Sequence, residues 1–304
     1  MQEKVNYAGW PNCVRLTNGQ IELIATTDIG PRIIRFGFVG GNNFMKEYSE
    51  QMGKMGGEEW RIYGGHRLWQ APEDSARTYA PDNSPIAYAW DGRTLKLMQK
   101  TDSAGIEKAI EVTMDEGRNR VTLVHRLTNR SRVEMNLAVW ALSSLAQGGR
   151  AIFPQEPYRA HSDYLLPVRA LSMWGYTDMK DPRWSWGTRY IELRQSGARP
   201  VPQKIGMTNT RGWAAYMMDG AIFIDRFGYD SSARYPDFNS NCETYTDANM
   251  LEIETLSPLT TLGANESTQH GEEWYLFRAH VGDDEATIDK DLLPLIQETT
   301  GPEH

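Results

Sequence analysis

Long hydrophobic runs, basic clusters and cysteine pairs are all missing from this 304-residue chain. No segment approaches the ~20 consecutive apolar residues of a membrane span, so no membrane partner is expected. Polar residues between Met1 and Trp10 fill the place where a signal peptide carries its apolar centre. A cytoplasmic location is the resulting expectation, although a leader removed beforehand would leave the same sequence. Two cysteines, Cys13 and Cys242, are too few for a disulfide framework and lack metal-ligand spacing, so both should be free thiols. The formal charge of −8, with acids spread throughout and no Lys or Arg run, argues against nucleic acid and for a neutral or cationic small molecule. No glycine-rich loop leads into a helix and no nucleophile elbow is present, which removes phosphate cradles, dinucleotide folds and Ser or Cys triads. Histidine is sparse, at six residues, and no two have the spacing of a metal-binding helix. Neither metal nor cofactor is therefore expected, while a site assembled from distant Glu, Asp and His stays open.

What the chain does have is short runs of β-branched, aromatic and aliphatic residues between Gly, Asn, Asp and Pro. Residues 20–26, 32–39, 94–99, 106–114, 120–127, 134–141, 190–194, 213–218, 221–227, 250–256 and 272–279 read as strands. Asn18-Gly19, Asp91-Gly92 and Asp219-Gly220 mark tight hairpins. Helical periodicity is convincing only from Asp284 to Glu298, where Ile288, Leu292 and Leu295 or Ile296 share a face. An all-β, large antiparallel sandwich with a short C-terminal helix follows, as one domain over 1–304. The stretch from Phe153 to Trp186 is too long for an ordinary connection and reads as functional loops over a sheet.

Three groups of residues carry chemical interest. Tyr63-Gly64-Gly65-His66-Arg67-Leu68-Trp69-Gln70-Ala71-Pro72-Glu73 crowds a flexible turn, an imidazole, a cation, an indole and a carboxylate together. Its plainer reading is a loop in which His66 caps a carbonyl, Arg67 pairs with an acid and Trp69 fills a core gap. In Leu251-Glu252-Ile253-Glu254-Thr255, strand alternation puts both acids on one face. Repulsion between them raises a carboxyl pKa, and Cys242-Glu243-Thr244-Tyr245 brings a further acid-bearing strand nearby. A solvated strand face is the alternative. Aromatic residues Trp140, Tyr158, Tyr164, Trp174, Trp184 and Trp186 in or beside the central loops suit stacking on sugar rings, or simple loop anchoring. His125 alternates with Leu123 and Leu127 and is expected in the core.

The order of these features resembles the galactose mutarotase-like (aldose 1-epimerase-like) superfamily over nearly the full length. The likeness rests on Asp28-Ile29-Gly30-Pro31-Arg32-Ile33, on Gly64-Gly65, on Leu127-Thr128-Asn129-Arg130-Ser131 leading to Asn136-Leu137, and on Leu251-Glu252-Ile253-Glu254-Thr255 followed by Gly263-Ala264-Asn265-Glu266-Ser267. The resemblance implies a twisted supersandwich with a carbohydrate site on the concave face of one sheet. It also implies a late Glu that takes the anomeric hydroxyl proton while a His protonates the ring oxygen. Glu254 matches that Glu, with Glu252 its alternative. The histidine positions depart from the pattern, reading Tyr63 and Trp140, so His66 is the candidate acid from a shifted position. Arg67, Arg35 and Lys204 would orient hydroxyls or a carboxylate, and Trp69 and Trp140 would form apolar walls. Glu73, Glu243 and Glu252 complete the candidate substrate-binding set. The expectation is an aldose epimerase-like enzyme, with glycoside cleavage by paired acids or noncatalytic carbohydrate binding as alternatives.

Overall fold

Along most of these runs apolar side chains recur at every second position, as Ile21, Leu23 and Ala25 do, and a two-residue period puts them on one face of a strand. A strand with one apolar face must cover it, and two such sheets cover each other. The computed structural model, which describes residues 1–300, has this arrangement in two antiparallel sheets. The first has eleven strands in the order Gln2–Tyr7, Trp10–Thr17, Ile21–Thr26, Arg32–Phe38, Gly65–Ala71, Met135–Leu145, Leu251–Leu256, Cys242–Thr246, Gln203–Met207 and Leu171–Met173, with Thr260–Leu262 also paired to Met135–Leu145. The second has ten, running Trp184–Trp186, Tyr190–Arg194, Arg150–Pro154, Trp213–Met218, Ala221–Phe227, Ser267–Arg278, Arg120–Asn129, Ile106–Met114, Thr94–Met98 and Ala87–Trp90.

One core joins the sheets, with Leu23, Phe36 and Leu68 from the first packed among Leu97, Ile110, Leu123, Phe223 and Leu276 from the second. Phe36 meets Phe223 edge-on at 5.9 Å and Trp274 at 5.3 Å between ring centres. All three expected hairpins form. At the tightest, Asp219 (φ 52°) and Gly220 (φ 71°) both lie in the left-handed region that a two-residue hairpin turn uses. Both cysteines are free and buried.

Eight strands, among them Gln203–Met207 and, inside the stretch read as loops, Leu171–Met173 and Trp184–Trp186, lie in segments not read as strands, and three assigned elements take another form. Residues 65–71, read as a turn, form a fully buried strand. The strand read from Glu272 begins at Ser267. The C-terminal helix is divided into Glu285–Asp291 and Leu293–Thr299, because Pro294 has no N–H to continue the ladder. Asp284 caps the first piece by accepting from the Ala286 and Thr287 amides. Ile288, Leu292 and Ile296 pack on the outer face of the second sheet against Ile152, Trp213 and Tyr275. His304 lies outside the described residues.

Candidate functional site

Strand parity decides which side chains can meet. In Leu251–Leu256, Leu251 and Ile253 enter the shared core, and Thr255 bonds to His270 and Glu272 of the opposite sheet. Glu252 and Glu254 therefore turn to the outer face of the first sheet. The same parity puts Trp140 and Ser144 of Met135–Leu145, Arg67 and Trp69 of Gly65–Ala71, and Glu243 of Cys242–Thr246 on that face. Register aligns them, with Trp140 opposite Trp69, Ser144 opposite Glu252, and Glu243 opposite Glu254. Lys204, from the next strand, faces Tyr245 in register and reaches across to the acids.

Two charged groups result. The Lys204 ammonium lies 2.8 Å from Glu243 Oε2 and 3.0 Å from Glu254 Oε2, between the rings of Trp140 (4.7 Å) and Trp174 (4.6 Å). Trp140 Nε1 donates to Glu254 Oε2 at 2.9 Å, while Glu254 Oε1 and Glu243 Oε1 have no hydrogen-bond partner in the protein. Burial pushes the Glu243 carboxyl well up against the pull of Lys204, and Glu254 also rises, through burial opposed by Lys204 and reinforced by Glu252. Burial works against the Lys204 charge, but the two acids outweigh it and hold the proton on the ammonium. Both acids thus hold a proton more tightly than an ordinary carboxyl, Glu243 the more strongly raised, while the one ammonium between them favours a negative charge on the pair. In the second group, Arg67 Nη1 donates to Glu252 Oε1 at 2.6 Å and to Ser144 Oγ at 2.8 Å, and its guanidinium stacks over Trp69 at 4.4 Å. Burial alone would raise Glu252, but Arg67 and Ser144 hold it below the usual carboxylate range.

Aromatic side chains roof this floor. Trp69 packs edge-on against Trp140 and Tyr79, and Trp60 against Tyr79. A cleft of about 430 Å³ opens above them, lined by Pro72, Glu73, Ser75, Tyr79, Trp140, Trp174 and Asp237. Glu73 accepts from the Tyr79 hydroxyl at its rim. A larger hollow of about 1060 Å³ lies elsewhere, bounded by Asn18, Trp90, Arg93 and Arg120, and holds none of the candidate residues.

The outer face thus gathers Arg67, Trp69, Trp140, Lys204, Glu243, Glu252 and Glu254, with Glu73 at the rim. Two expected members are elsewhere. His66 neighbours Arg67 on its strand, so its ring faces inward between the sheets, 2.7 Å from His125 Nε2 and 3.0 Å from Ser143 Oγ. It has no exposed surface, and burial drives its pKa well down. An acid role toward a sugar on the outer face is thereby withdrawn. Arg35 is tied to Glu22 at 2.8 Å and to the Gly41 carbonyl at 2.7 Å, an ion pair outside the cleft. Trp60 and Tyr79 belong to the site without having been singled out. Only the density of aromatics around the Gly-Gly motif signalled them. Of the loop aromatics, Trp174 lines the cleft, whereas Trp184 is a core residue stacked on Trp186.

No family model and no curated protein matches the chain. Solved structures do resemble it. A galactose mutarotase-like protein from Lactobacillus casei superposes with TM-score 0.55 at 10% identity, over 88% of this chain and 100% of that one. Another from Clostridium acetobutylicum gives 0.53 at 12% identity, over 91% and 98%. A family 36 α-galactosidase from Geobacillus stearothermophilus gives 0.52 at 12% identity, over 92% of this chain and 41% of that one. At such identities the likeness is one of fold, and the fold is the galactose mutarotase-like sandwich.

Proposed function

We propose that the outer cleft binds a carbohydrate and that Glu254 and Glu243 exchange protons with it, as in the ring opening and reclosure of an aldose. The observation that carries this reading is the pair of register-matched acids sharing one lysine beneath aromatic walls. Aromatic faces suit the C–H faces of a pyranose. Two carboxyls that share one lysine can divide acid and base roles between them, the more strongly raised Glu243 as the acid and Glu254 as the base. Ionised Glu254 takes the proton of the anomeric hydroxyl. Protonated Glu243 gives its proton to the ring oxygen as the C1–O5 bond breaks and the anomeric C–O becomes a carbonyl. Reclosure on the other face reverses both transfers, so the protein ends as it began. Trp174 both packs over Lys204 and lines the cleft, so it lies on the path from the cleft to the acids.

The α-galactosidase carries this fold over 41% of its length, and glycoside cleavage is the second reading. It requires carboxyls on opposite sides of the scissile bond, whereas Glu243 and Glu254 project from adjacent strands of one face. Proton NMR of anomeric signals, with a panel of monosaccharides, uronic acids and oligosaccharides, separates the cases. Accelerated anomer exchange is expected, and new reducing ends would favour cleavage. Binding with neither would leave a noncatalytic module. Glu254→Gln should abolish exchange while keeping sugar affinity within about tenfold, ~1.4 kcal/mol. Exchange at the parent rate in that variant would refute the mechanism.

A further inference from the structure

Behind the cleft floor, between the sheets, lies a polar cluster with no part in the proposed chemistry. His66 comes from the first sheet, while His125 of Arg120–Asn129 and Glu272 of Ser267–Arg278 come from the second. All three are buried. His66 Nε2 and His125 Nε2 face each other at 2.7 Å, and Glu272 Oε2 lies 4.0 Å from His125 Nε2. One ligand atom from each lies within 4.8 Å of the others.

The surroundings orient these atoms as a metal's outer shell would. His125 Nδ1 is 3.2 Å from the His270 carbonyl, which can only accept, so the proton of the neutral ring sits on Nδ1 and Nε2 presents a lone pair. His66 Nδ1 lies 3.0 Å from Ser143 Oγ, which can accept its proton and free Nε2 in the same way. Glu272 is fixed by Thr255 Oγ1 on one oxygen and by Trp274 Nε1, at 3.0 Å, on the other. No Lys or Arg pairs with Glu272 among the described residues, and neither oxygen of buried Asp225 on the adjoining strand has a hydrogen-bond partner. Two buried carboxyls without a paired cation are costly if ionised, and a divalent ion would balance them.

From this geometry we infer that His66 Nε2, His125 Nε2 and Glu272 Oε2 form a binding site for a divalent transition metal of the zinc class. Two imidazoles and a carboxylate are a donor set zinc accepts, with bonds of about 2.0–2.2 Å. Tetrahedral coordination sets two such nitrogens roughly 3.3 Å apart, so the rings separate by about half an ångström on binding. The ion would pin the sheets together behind the catalytic face, since His66, Ser143 and Thr255 directly adjoin Arg67, Ser144 and Glu254 in sequence.

The competing arrangement is a metal-free hydrogen-bond chain in which Ser143 donates to His66 Nδ1 and His66 Nε2–H donates to His125. Elemental analysis of the dialysed full chain, with Co²⁺ titration of chelator-treated protein, distinguishes the two. About one zinc per chain is expected, with a visible tetrahedral Co²⁺ band saturating at one equivalent and a Tm rise on Zn²⁺ addition. Glu272→Gln and His125→Gln should each weaken Co²⁺ binding at least tenfold. Should either variant fail to fold, imidazole ¹⁵N spectra of the zinc-saturated parent must show both Nε2 atoms unprotonated. Absence of stoichiometric metal together with no Co²⁺ band, undiminished Co²⁺ binding in folded variants, or a proton on His66 Nε2 in that spectrum would each overturn the site. None of these readouts depends on sugar chemistry.

Discussion

Lys204 holds the centre of the outer face together electrostatically. Its side chain is 6% exposed and those of Glu243 and Glu254 are 0% and 1%, so water screens none of the three effectively. Lys204→Met keeps the length of the side chain between Trp140 and Trp174 but leaves two acids without a cation. Removing one partner of a buried pair typically costs about 3–5 kcal/mol, which urea denaturation at neutral pH should show. The cost should shrink as pH falls, because the acids then take up protons, and a loss that stays constant with pH would refute this account. The shared face of Glu252 and Glu254 was legible in the sequence because strand alternation needs only the strand to exist. His66 was misplaced because its segment was read as a turn: a Gly-Gly pair does not reveal that a strand begins within it, and once the strand is there its parity turns His66 away from Arg67. Tyr79 reaches the cleft, and Trp60 packs behind it on Trp69 and Tyr79, through loop paths that no periodicity encodes.

Elements were legible where turn chemistry bounded them. Asn-Gly and Asp-Gly pairs fixed the hairpins because few residues tolerate the positive φ they require. The strand Gly65–Ala71 was hidden because it is buried on both faces, so His66, Arg67 and Gln70 break the alternation that marks a half-buried strand. Its entry depends on glycine for space as well as φ. Gly65 has φ +72°, and a Cβ there would lie 2.3 Å from the Ile33 carbonyl oxygen. At Gly92, with φ +100°, nothing lies within 4 Å of a Cβ. Gly92→Ala should therefore cost only the backbone strain, about 1–2 kcal/mol, whereas Gly65→Ala adds a backbone clash and should exceed it by at least ~1 kcal/mol. Equal losses in chemical denaturation would mean that the strand entry is less tightly packed than this.

At the scale of the whole molecule, the sandwich buries carboxyls of opposite tendency on one sheet face, and this shapes stability against pH. Glu252 is held below the usual carboxylate range: burial opposes this, but Arg67 and Ser144 prevail. The folded chain therefore binds this proton less readily than the unfolded one. The resulting stability is present above the ordinary carboxyl range and is lost as pH falls through the lowered value. Glu243 and Glu254 are raised, by burial foremost, so the folded chain binds their protons more tightly, and that contribution is lost as pH climbs through their raised values. The two tendencies bend the stability curve down on both sides. Glu252→Gln should lower stability at neutral pH, by leaving Arg67 unpaired, yet make the acid limb shallower. Glu243→Gln should flatten the decline toward higher pH and leave the acid limb as it was. Urea midpoints measured across the pH range for parent and both variants test this, and parallel curves for all three would show that these buried acids titrate alike in the folded and unfolded chains.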